Sequence, residues 1–248
     1  GSRMSSYPWA AGYIDDGDRP KIVTSRFHLE DSFTLERYHA TGGYEGLKRA
    51  LSKSSTEVHD EVRGATILGR GGAGFPAGTK WGFCPPGVWP RYIVVNGDES
   101  EPGTYKDRIL MERDPHQLIE GCLIAAYAIG AAQVFLYVRG EMAHAQERVA
   151  AALNEAYAAN LVGANILGTD FSVDIVLHWG AGAYIVGEET ALIAASILGE
   201  DVRLAGGAAG DDLAMSATFV SLGGRAEGDA VVLAMVFSKQ PLGVGVCH

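Results

Sequence analysis

Residues 91–138, RYIVVNGDESEPGTYKDRILMERDPHQLIEGCLIAAYAIGAAQVFLYV, decide the fold that the sequence predicts. The run 91–96 is short, rich in β-branched residues and followed by a Gly-Asp turn, as expected of a buried strand. The stretch from Pro115 to Ala131 is mostly apolar and predicts a largely buried helix with proline in its first turn. Residues 133–138 are again strand-like. This strand–helix–strand order is typical of a parallel sheet with helices packed against it.

The same alternation continues on both sides of this stretch. An amphipathic helix is predicted over 141–159, a strand over 172–179 and a further helix over 188–198. Upstream, one short helix is predicted from Thr41 and another over 54–63, capped by a serine hydroxyl. We therefore expect an α/β fold: a Rossmann-like, mainly parallel sheet with flanking helices, followed by a short β-rich C-terminal segment.

The ends of the chain have a different texture. Residues 1–40 are expected to form an irregular N-terminal arm, of which 1–4 have the appearance of a cloning remnant. Residues 41–198 form the expected α/β domain. Residues 199–248 are rich in glycine and read as a β-rich tail, a truncated or foreign module, with strands predicted over 215–222, 229–238 and 241–247 around a Gly-Gly-Arg turn.

Composition excludes several classes of function. The 248 residues carry a net charge of −10 with scattered basic residues, which argues against a nucleic-acid partner. No apolar run approaches the about 20 residues of a membrane span, so a cytoplasmic protein without membrane insertion is expected. The three cysteines, Cys84, Cys122 and Cys247, lack the spacing of a metal site, and Cys122 is expected in the core.

Gly69-Arg70-Gly71-Gly72-Ala73-Gly74 matches the GxGxxG spacing of a dinucleotide-binding turn, and 65–68 could be the strand before it. Such a turn needs a helix directly after the glycines, yet the prolines within 75–87 exclude a regular helix there. The interpretation we favour is a loop whose backbone N–H groups wrap a phosphate or lie under a flat ring.

Nearby side chains support a nucleotide ligand for this loop. Arg70 and Lys80 supply positive charge, and Phe75, Trp81 and Phe83 supply aromatic surface. The alternative is an ordinary glycine-rich surface loop.

Residues 96–103, NGDESEPG, follow the predicted strand at the sheet edge where open α/β sheets bind ligands. The carboxylates can accept hydrogen bonds from ribityl or ribose hydroxyls, and Asn96 can donate to and accept from a flavin edge. Crowded like charges should also raise the pKa of at least one carboxyl. The alternative is a solvated acidic turn.

A second glycine-rich segment, GAGAYIVGEET over 180–190, joins a predicted strand to a predicted helix and would let a flat ligand approach the backbone. Glu188 and Glu189 point about 100° apart on a helix, so only one would face that ligand. The alternative is that this negative charge complements the helix dipole, which could fully account for one of the two glutamates.

Three segments in this order, GRGGAGFPAGTKW, VNGDESEPGTYKDR and GAGAYIVGEETALI, closely resemble the NADH-binding flavoprotein subunit of respiratory complex I and its relatives in formate dehydrogenases and hydrogenases. The resemblance runs from about Phe33 to Ala194 and includes YVRGE and GTDF. It implies that FMN is lined by Gly69, Arg70, Gly71, Gly72, Lys80, Asn96, Asp98, Glu99, Ser100, Tyr184, Gly187 and Glu188. It implies that NADH contacts Phe75, Lys80, Phe83, Glu101 and Glu189, with Phe75 stacking on a base.

The implied reaction is hydride transfer from NADH to FMN, with electrons passing on to iron–sulfur and quinone partners. The flavin does this chemistry, so no catalytic side chain is required. The family's four-cysteine 4Fe-4S cluster domain has no counterpart in the sequence, which implies that partner subunits receive the electrons. Peripheral membrane association on the cytoplasmic side would then come through those partners.

The tail, with LAGGAAGDDL and PLGVGVCH, is similar to part of a FIST-type sensory domain. Two alternatives therefore stand beside the oxidoreductase: a non-catalytic nucleotide- or small-ligand-binding sensory module, and an inactive fragment.

Overall fold

The computed structural model describes residues 20–71, 73–180, 219–222 and 225–228. The chain divides into two compact units, residues 1–182 and 183–248. The first unit contains helices α1 (Leu35–Ala40), α2 (Glu45–Leu51), α3 (Ser55–Gly64), α4 (Ala77–Trp81), α5 (Asp107–Arg113), α6 (Pro115–Ile129) and α7 (Ala143–Ala158), and strands β1 (Tyr92–Gly97), β2 (Gln133–Val138) and β3 (Asp174–Trp179). The second contains β4 (Phe219–Leu222) and β5 (Arg225–Gly228). The helix predicted over 188–198 and the strands predicted over 229–238 and 241–247 lie outside the described residues.

The three strands of the first unit form a parallel sheet in the order β1-β2-β3. Their register aligns Asn96 with Tyr137 and Tyr137 with His178, so the carboxyl ends of all three strands lie at one edge. Val134 and Val138 of β2 are fully buried in one core with residues of α6 and α7. The predicted α/β fold with a parallel sheet and flanking helices is confirmed.

Helix α6 begins at the predicted Pro115 and ends at Ile129, two residues before the predicted end at Ala131. Pro115 occupies its first position, where a missing N–H costs nothing. Gly130 follows with φ 65° and ψ 47°, the left-handed conformation that ends many helices. Ile119, Cys122 and Leu123 are buried in the core, which confirms the prediction for Cys122. Burial raises the pKa of the Cys122 thiol to about 12.

Of the three N-terminal helices, α3 agrees with the prediction, α1 was not predicted, and α2 starts later than predicted. Helix α3 has the predicted hydroxyl cap: Ser54 Oγ accepts from the Glu57 N–H at 3.3 Å, and the Glu57 carboxylate accepts from the Ser54 N–H at 2.8 Å. The irregular arm expected over 1–40 is wrong at 35–40, because α1 forms there behind Thr34, whose hydroxyl caps the Arg37 N–H at 3.2 Å.

Helix α2 begins at Glu45, so the predicted start at Thr41 is wrong. Tyr44 precedes it with φ 62° and offers no side-chain cap. The cap comes from α6, where the Glu120 carboxylate accepts from the Tyr44 N–H at 2.9 Å and the Leu47 N–H at 2.8 Å. A carboxylate 76 residues away therefore decides where this helix starts.

His116 connects the same helices inside the protein. Its Nδ1 lies 3.0 Å from the Tyr44 hydroxyl, and its Nε2 lies 3.0 Å from a Glu155 carboxylate oxygen of α7. Glu155 also accepts from the Leu35 N–H at the start of α1 at 2.8 Å. Burial lowers the pKa of His116, and Glu155 partly opposes that shift. These contacts tie α1 and α2 to α6 and α7.

In the second unit, β4 and β5 pair as an antiparallel hairpin. The strand predicted over 215–222 is confirmed at 219–222. Leu222 pairs with Arg225, the first residue of β5 and the last residue of the predicted Gly-Gly-Arg turn region, whose two glycines lie outside the described residues.

Candidate functional site

The glycine-rich segment forms a loop that is closed at its base. Backbone hydrogen bonds join the Gly69 N–H to the Phe75 carbonyl and the Ala77 N–H to the Ile67 carbonyl, each at 2.8 Å. The chain therefore folds back on itself, and residues 65–68 do not form a strand of the parallel sheet. This geometry differs from the strand–turn–helix of a dinucleotide-binding fingerprint.

A short helix nevertheless follows the loop. The prediction that no regular helix forms within 75–87 is wrong for α4, which covers Ala77–Trp81. Pro76 stands just before its first turn, where proline is tolerated, and the helix ends before the Pro85-Pro86 pair. The helix takes up five of the eight residues between Pro76 and Pro85.

Gly78 fixes this helix against α3. A Cβ at Gly78 would lie 2.6 Å from the backbone nitrogen of Arg63, so only glycine permits this approach. His59 Nε2 lies 2.7 Å from the Gly78 carbonyl and completes the contact. The glycine loop is thus carried by a rigid helix pair.

The tip of the loop offers uncommitted hydrogen-bond donors. The N–H groups of Gly71, Ala73 and Gly74 donate to no acceptor in the described part of the chain. Arg70 is exposed, and its guanidinium makes no ion pair or hydrogen bond with a described residue. A Cβ at Gly71 would meet nothing within 4 Å, so the space beside it is open. Free amides beside an unpaired guanidinium suit a phosphate group.

Aromatic rings flank this loop. The Phe75 and Phe83 rings lie 5.7 Å apart at an angle of 49°, and Phe83 is 64% exposed. Lys80 is exposed at the end of α4. Three of the side chains predicted to contact NADH therefore lie on one segment, residues 75–83.

The acidic segment 98–101 follows β1 at the carboxyl edge of the sheet. The Asn96 Oδ1 accepts from the Asp98 N–H at 3.0 Å, and the Ser100 hydroxyl donates to the Asp98 carboxylate. Burial raises the pKa of Asp98, and the hydrogen bond from Ser100 opposes it. A raised carboxyl pKa is confirmed, but its main cause is desolvation, not the neighbouring acids of the segment.

Glu99 has a different role from its neighbours. Its carboxylate is fully buried and accepts from the Asp107 N–H and from Arg108 Nε, each at 2.7 Å. It therefore caps the N-terminus of α5 instead of facing the open edge. Its backbone adopts φ 38°, which is unusual for a residue with a side chain.

An aromatic pair that sequence reasoning missed lies beside this segment. Tyr137 is buried at the end of β2 and stacks on His178 of β3 with 5.2 Å between ring centroids. The Gly180 N–H extends the strand contact by donating to the Val138 carbonyl at 2.8 Å. The signal was the strand register, which places both rings on one face of the sheet edge.

The predicted site residues are thus divided. One group, at the sheet edge, contains Asn96, Asp98, Glu99, Ser100 and Glu101. The other group, on the glycine loop, on α4 and just after α4, contains Gly69, Arg70, Gly71, Phe75, Lys80 and Phe83. Gly72, Tyr184, Gly187, Glu188 and Glu189 lie outside the described residues.

The described part of the chain holds neither a metal-binding cluster nor a membrane-spanning helix. Among those residues, no group of three or more His, Cys, Asp or Glu side chains could hold a metal ion. Within the same residues, no helix has the length and apolar character of a bilayer span.

Comparison with known proteins decides the family. The profile described as the Nuo51 FMN-binding domain matches residues 62–212. The chain belongs to this family. The matched region begins within α3 and includes the glycine loop, the acidic segment and the whole parallel sheet. The family resemblance expected from the sequence is confirmed.

Relatives of this Nuo51-type domain are subunits of NADH-quinone oxidoreductases. The chain is 51% identical over 190 residues to such a subunit from Aquifex aeolicus, covering 77% of the chain and 44% of that protein. It is 49% identical over 174 residues to the corresponding protein of Rhizobium meliloti, covering 69% of the chain and 41% of that protein. The chain therefore spans less than half the length of these curated relatives.

Two solved structures are also similar to this chain. A crystal structure of an air-oxidized NAD+-reducing [NiFe]-hydrogenase shares 38% identity with a TM-score of 0.52, covering 64% of this chain and 27% of that one. The H2-reduced state of such an enzyme gives 37% identity and a TM-score of 0.53 over the same shares. The α/β architecture of the Nuo51-type domain is thus similar to that of part of NAD+-reducing [NiFe]-hydrogenases.

Proposed function

We propose that this chain binds FMN and oxidises NADH by hydride transfer to that flavin. The observation that carries the proposal is the loop 69–75, whose free amides and exposed Arg70 suit a phosphate, in a chain of the FMN-binding family. The relatives are named as NADH-quinone oxidoreductase subunits and the structural neighbours as NAD+-reducing hydrogenases, which supports NADH as the reductant.

The glycine loop would hold the FMN phosphate through its amides and the charge of Arg70. The acidic segment would receive the ribityl chain and the ring edge. The proposed FMN contacts are Gly69, Arg70, Gly71, Gly72, Lys80, Asn96, Asp98, Glu99, Ser100, Tyr184, Gly187 and Glu188. Because the Glu99 carboxylate caps α5, Glu99 would contribute to FMN binding through the conformation that it gives the acidic segment.

NADH would enter over the exposed aromatic rings beside that loop. The proposed contacts are Phe75, Lys80, Phe83, Glu101 and Glu189, with Phe75 stacking on a base. When bound, FMN would supply a two-electron acceptor: it would take the hydride of NADH together with one proton from water, and NAD+ would leave. The side chains named here bind and orient the two rings, so none needs to transfer a proton.

Onward electron transfer would require partner subunits. The relatives are subunits of larger enzymes, and this chain spans less than half the length of each of these subunits. We propose iron–sulfur proteins as the partners and quinone as the eventual acceptor. The cytoplasmic side, with peripheral attachment through those partners, is the proposed location.

The test is FMN reconstitution of the purified chain, desalting, and anaerobic addition of NADH. Retained flavin absorbance that bleaches with NADH is the expected result. Arg70→Gln should weaken FMN binding by roughly tenfold, because a hydrogen bond to a charged group is lost. Arg49→Gln is the matched control, since Arg49 is also exposed but lies on α2.

Three outcomes separate the possibilities. A chain that holds no flavin overturns the proposal. Flavin that binds but does not bleach with NADH indicates a ligand-binding module without turnover. Equal FMN affinities for the Arg70→Gln and Arg49→Gln variants would show that the glycine loop is not part of the FMN site.

A further inference from the structure

Arg139 joins the end of β2 to the acidic segment that follows β1. Its backbone N–H donates to the Gly97 carbonyl at 3.1 Å, and its guanidinium Nη1 donates to the Glu99 carbonyl at 2.9 Å. Arg139 thus contacts the last residue of β1 and the acidic segment at two carbonyls, two positions apart. These bonds hold the segment in place relative to the sheet edge.

The guanidinium is itself held in position. Its Nε donates to one Glu141 carboxylate oxygen at 2.9 Å and its Nη2 to the other at 3.4 Å. Gln146 of α7 donates from Nε2 to the Arg139 carbonyl at 2.9 Å and fixes the backbone. Only 25% of the Arg139 side chain is exposed. Planar guanidinium geometry lets three nitrogens serve two partners, which a lysine cannot do.

The held segment contains a backbone conformation that needs support. Glu99 has φ 38°, in the region that residues with side chains rarely adopt. Arg139 holds the carbonyl of Glu99, while α5 holds its carboxylate through Asp107 and Arg108. The residue is therefore fixed from two sides, and Asp98 and Ser100 on either side of it are held at the carboxyl edge of the sheet.

We propose that Arg139 is a positioning residue for the FMN site, acting through the carbonyl of Glu99. This inference rests on the proposed function, because the segment matters to FMN only if FMN binds there. Arg139 touches neither reacting ring. It sets the arrangement of Asn96, Asp98 and Ser100 that the flavin meets.

Two measurements on Arg139→Lys and Arg139→Gln test the inference. The first is hydrogen–deuterium exchange without FMN, where amides over 97–107 should exchange faster in Arg139→Gln while those of α6 and β2 stay unchanged. The second is the FMN dissociation constant, which should rise about tenfold or more in Arg139→Gln and less in Arg139→Lys. Arg49→Gln, on the exposed face of α2, is the control for both.

The results separate failure of the inference from failure of the proposed function. If the original chain binds FMN and Arg139→Gln binds it equally well, Arg139 does not position the site. Unchanged exchange over 97–107 would likewise overturn the inference. If the original chain binds no FMN, the proposed function fails and the positioning role falls with it. Where Arg139→Gln does not fold, Arg139→Lys decides, because loss of the planar fork alone should weaken FMN binding.

Discussion

Tyr137 and His178 stack at the ends of neighbouring parallel strands, with ring planes 21° apart and centroids separated by 5.2 Å. The chain leaves β3 after Trp179, and Gly180 lies against the hydroxyl end of the Tyr137 ring. A Cβ at Gly180 would lie 2.6 Å from Tyr137 Cζ and 3.0 Å from its Cε1. The buried tyrosine therefore requires glycine at the start of the second glycine-rich segment.

Gly180→Ala should destabilise the protein by about 1–3 kcal/mol, because a methyl group is forced against a buried ring. The free energy of unfolding from urea denaturation measures this. Gly121→Ala is the control: its Cβ meets nothing within 4 Å on an exposed face of α6, so no loss is expected there.

The same clash predicts a rescue. In the double variant Gly180→Ala with Tyr137→Leu, the ring carbons that oppose the new methyl group are absent. The double variant should therefore lose less free energy of unfolding than the sum of the losses in the two single variants. Strict additivity would show that the clash is relieved elsewhere.

Glu120→Gln should cost about 2 kcal/mol or more. The carboxylate accepts from the Tyr44 N–H, the Leu47 N–H and the Tyr38 hydroxyl, and an amide nitrogen would oppose one of these donors. Thermal and urea unfolding measure the change. Glu36 is exposed on α1, so Glu36→Gln should change the free energy of unfolding by no more than about 0.5 kcal/mol. A similarly small effect of Glu120→Gln would contradict the cap.

Stability should fall as pH drops through the range in which His116 titrates. Burial lowers the folded-state pKa of His116 below its ordinary value of 6.5, so the unfolded chain takes up the proton first. The stabilisation is complete above about 6.5 and is lost as pH falls through the folded pKa. Burial raises the pKa values of Asp98 and Asp114. Their contributions to the stability of the protein therefore act in the opposite direction, because they are lost as pH rises.

The measurement is the melting temperature at a series of pH values from neutral to mildly acidic, compared with His116→Gln. The difference between the two proteins cancels the contributions of Asp98 and Asp114. We expect that difference to shrink as pH falls. A constant difference would mean that His116 titrates alike in both states.

The elements that the sequence predicted correctly carry their signals locally. Helix α6 has its proline and glycine at its own ends, and α3 has its capping box within four residues. Helices α2 and α5 were misplaced or missed, because their N-termini are capped by Glu120 and Glu99 from distant or irregular segments. Distant caps of this kind leave no pattern in a single sequence.

The candidate site shows the same division. The glycine loop and the acidic segment were predicted from composition and position after a strand. Arg139 stood within the YVRGE motif without a role, because its partner is a backbone carbonyl and any residue at 99 provides one. The burial that raises the Asp98 pKa likewise depends on the packed fold.

The two backbone bonds at the base of the glycine loop have a thermodynamic consequence. Gly69 and Phe75 are joined before any ligand arrives, as are Ile67 and Ala77. The conformational entropy of closing the loop is therefore lost on folding and not on binding. A phosphate that meets the tip encounters preorganised donors, so its affinity need not be reduced by the ordering of a flexible chain.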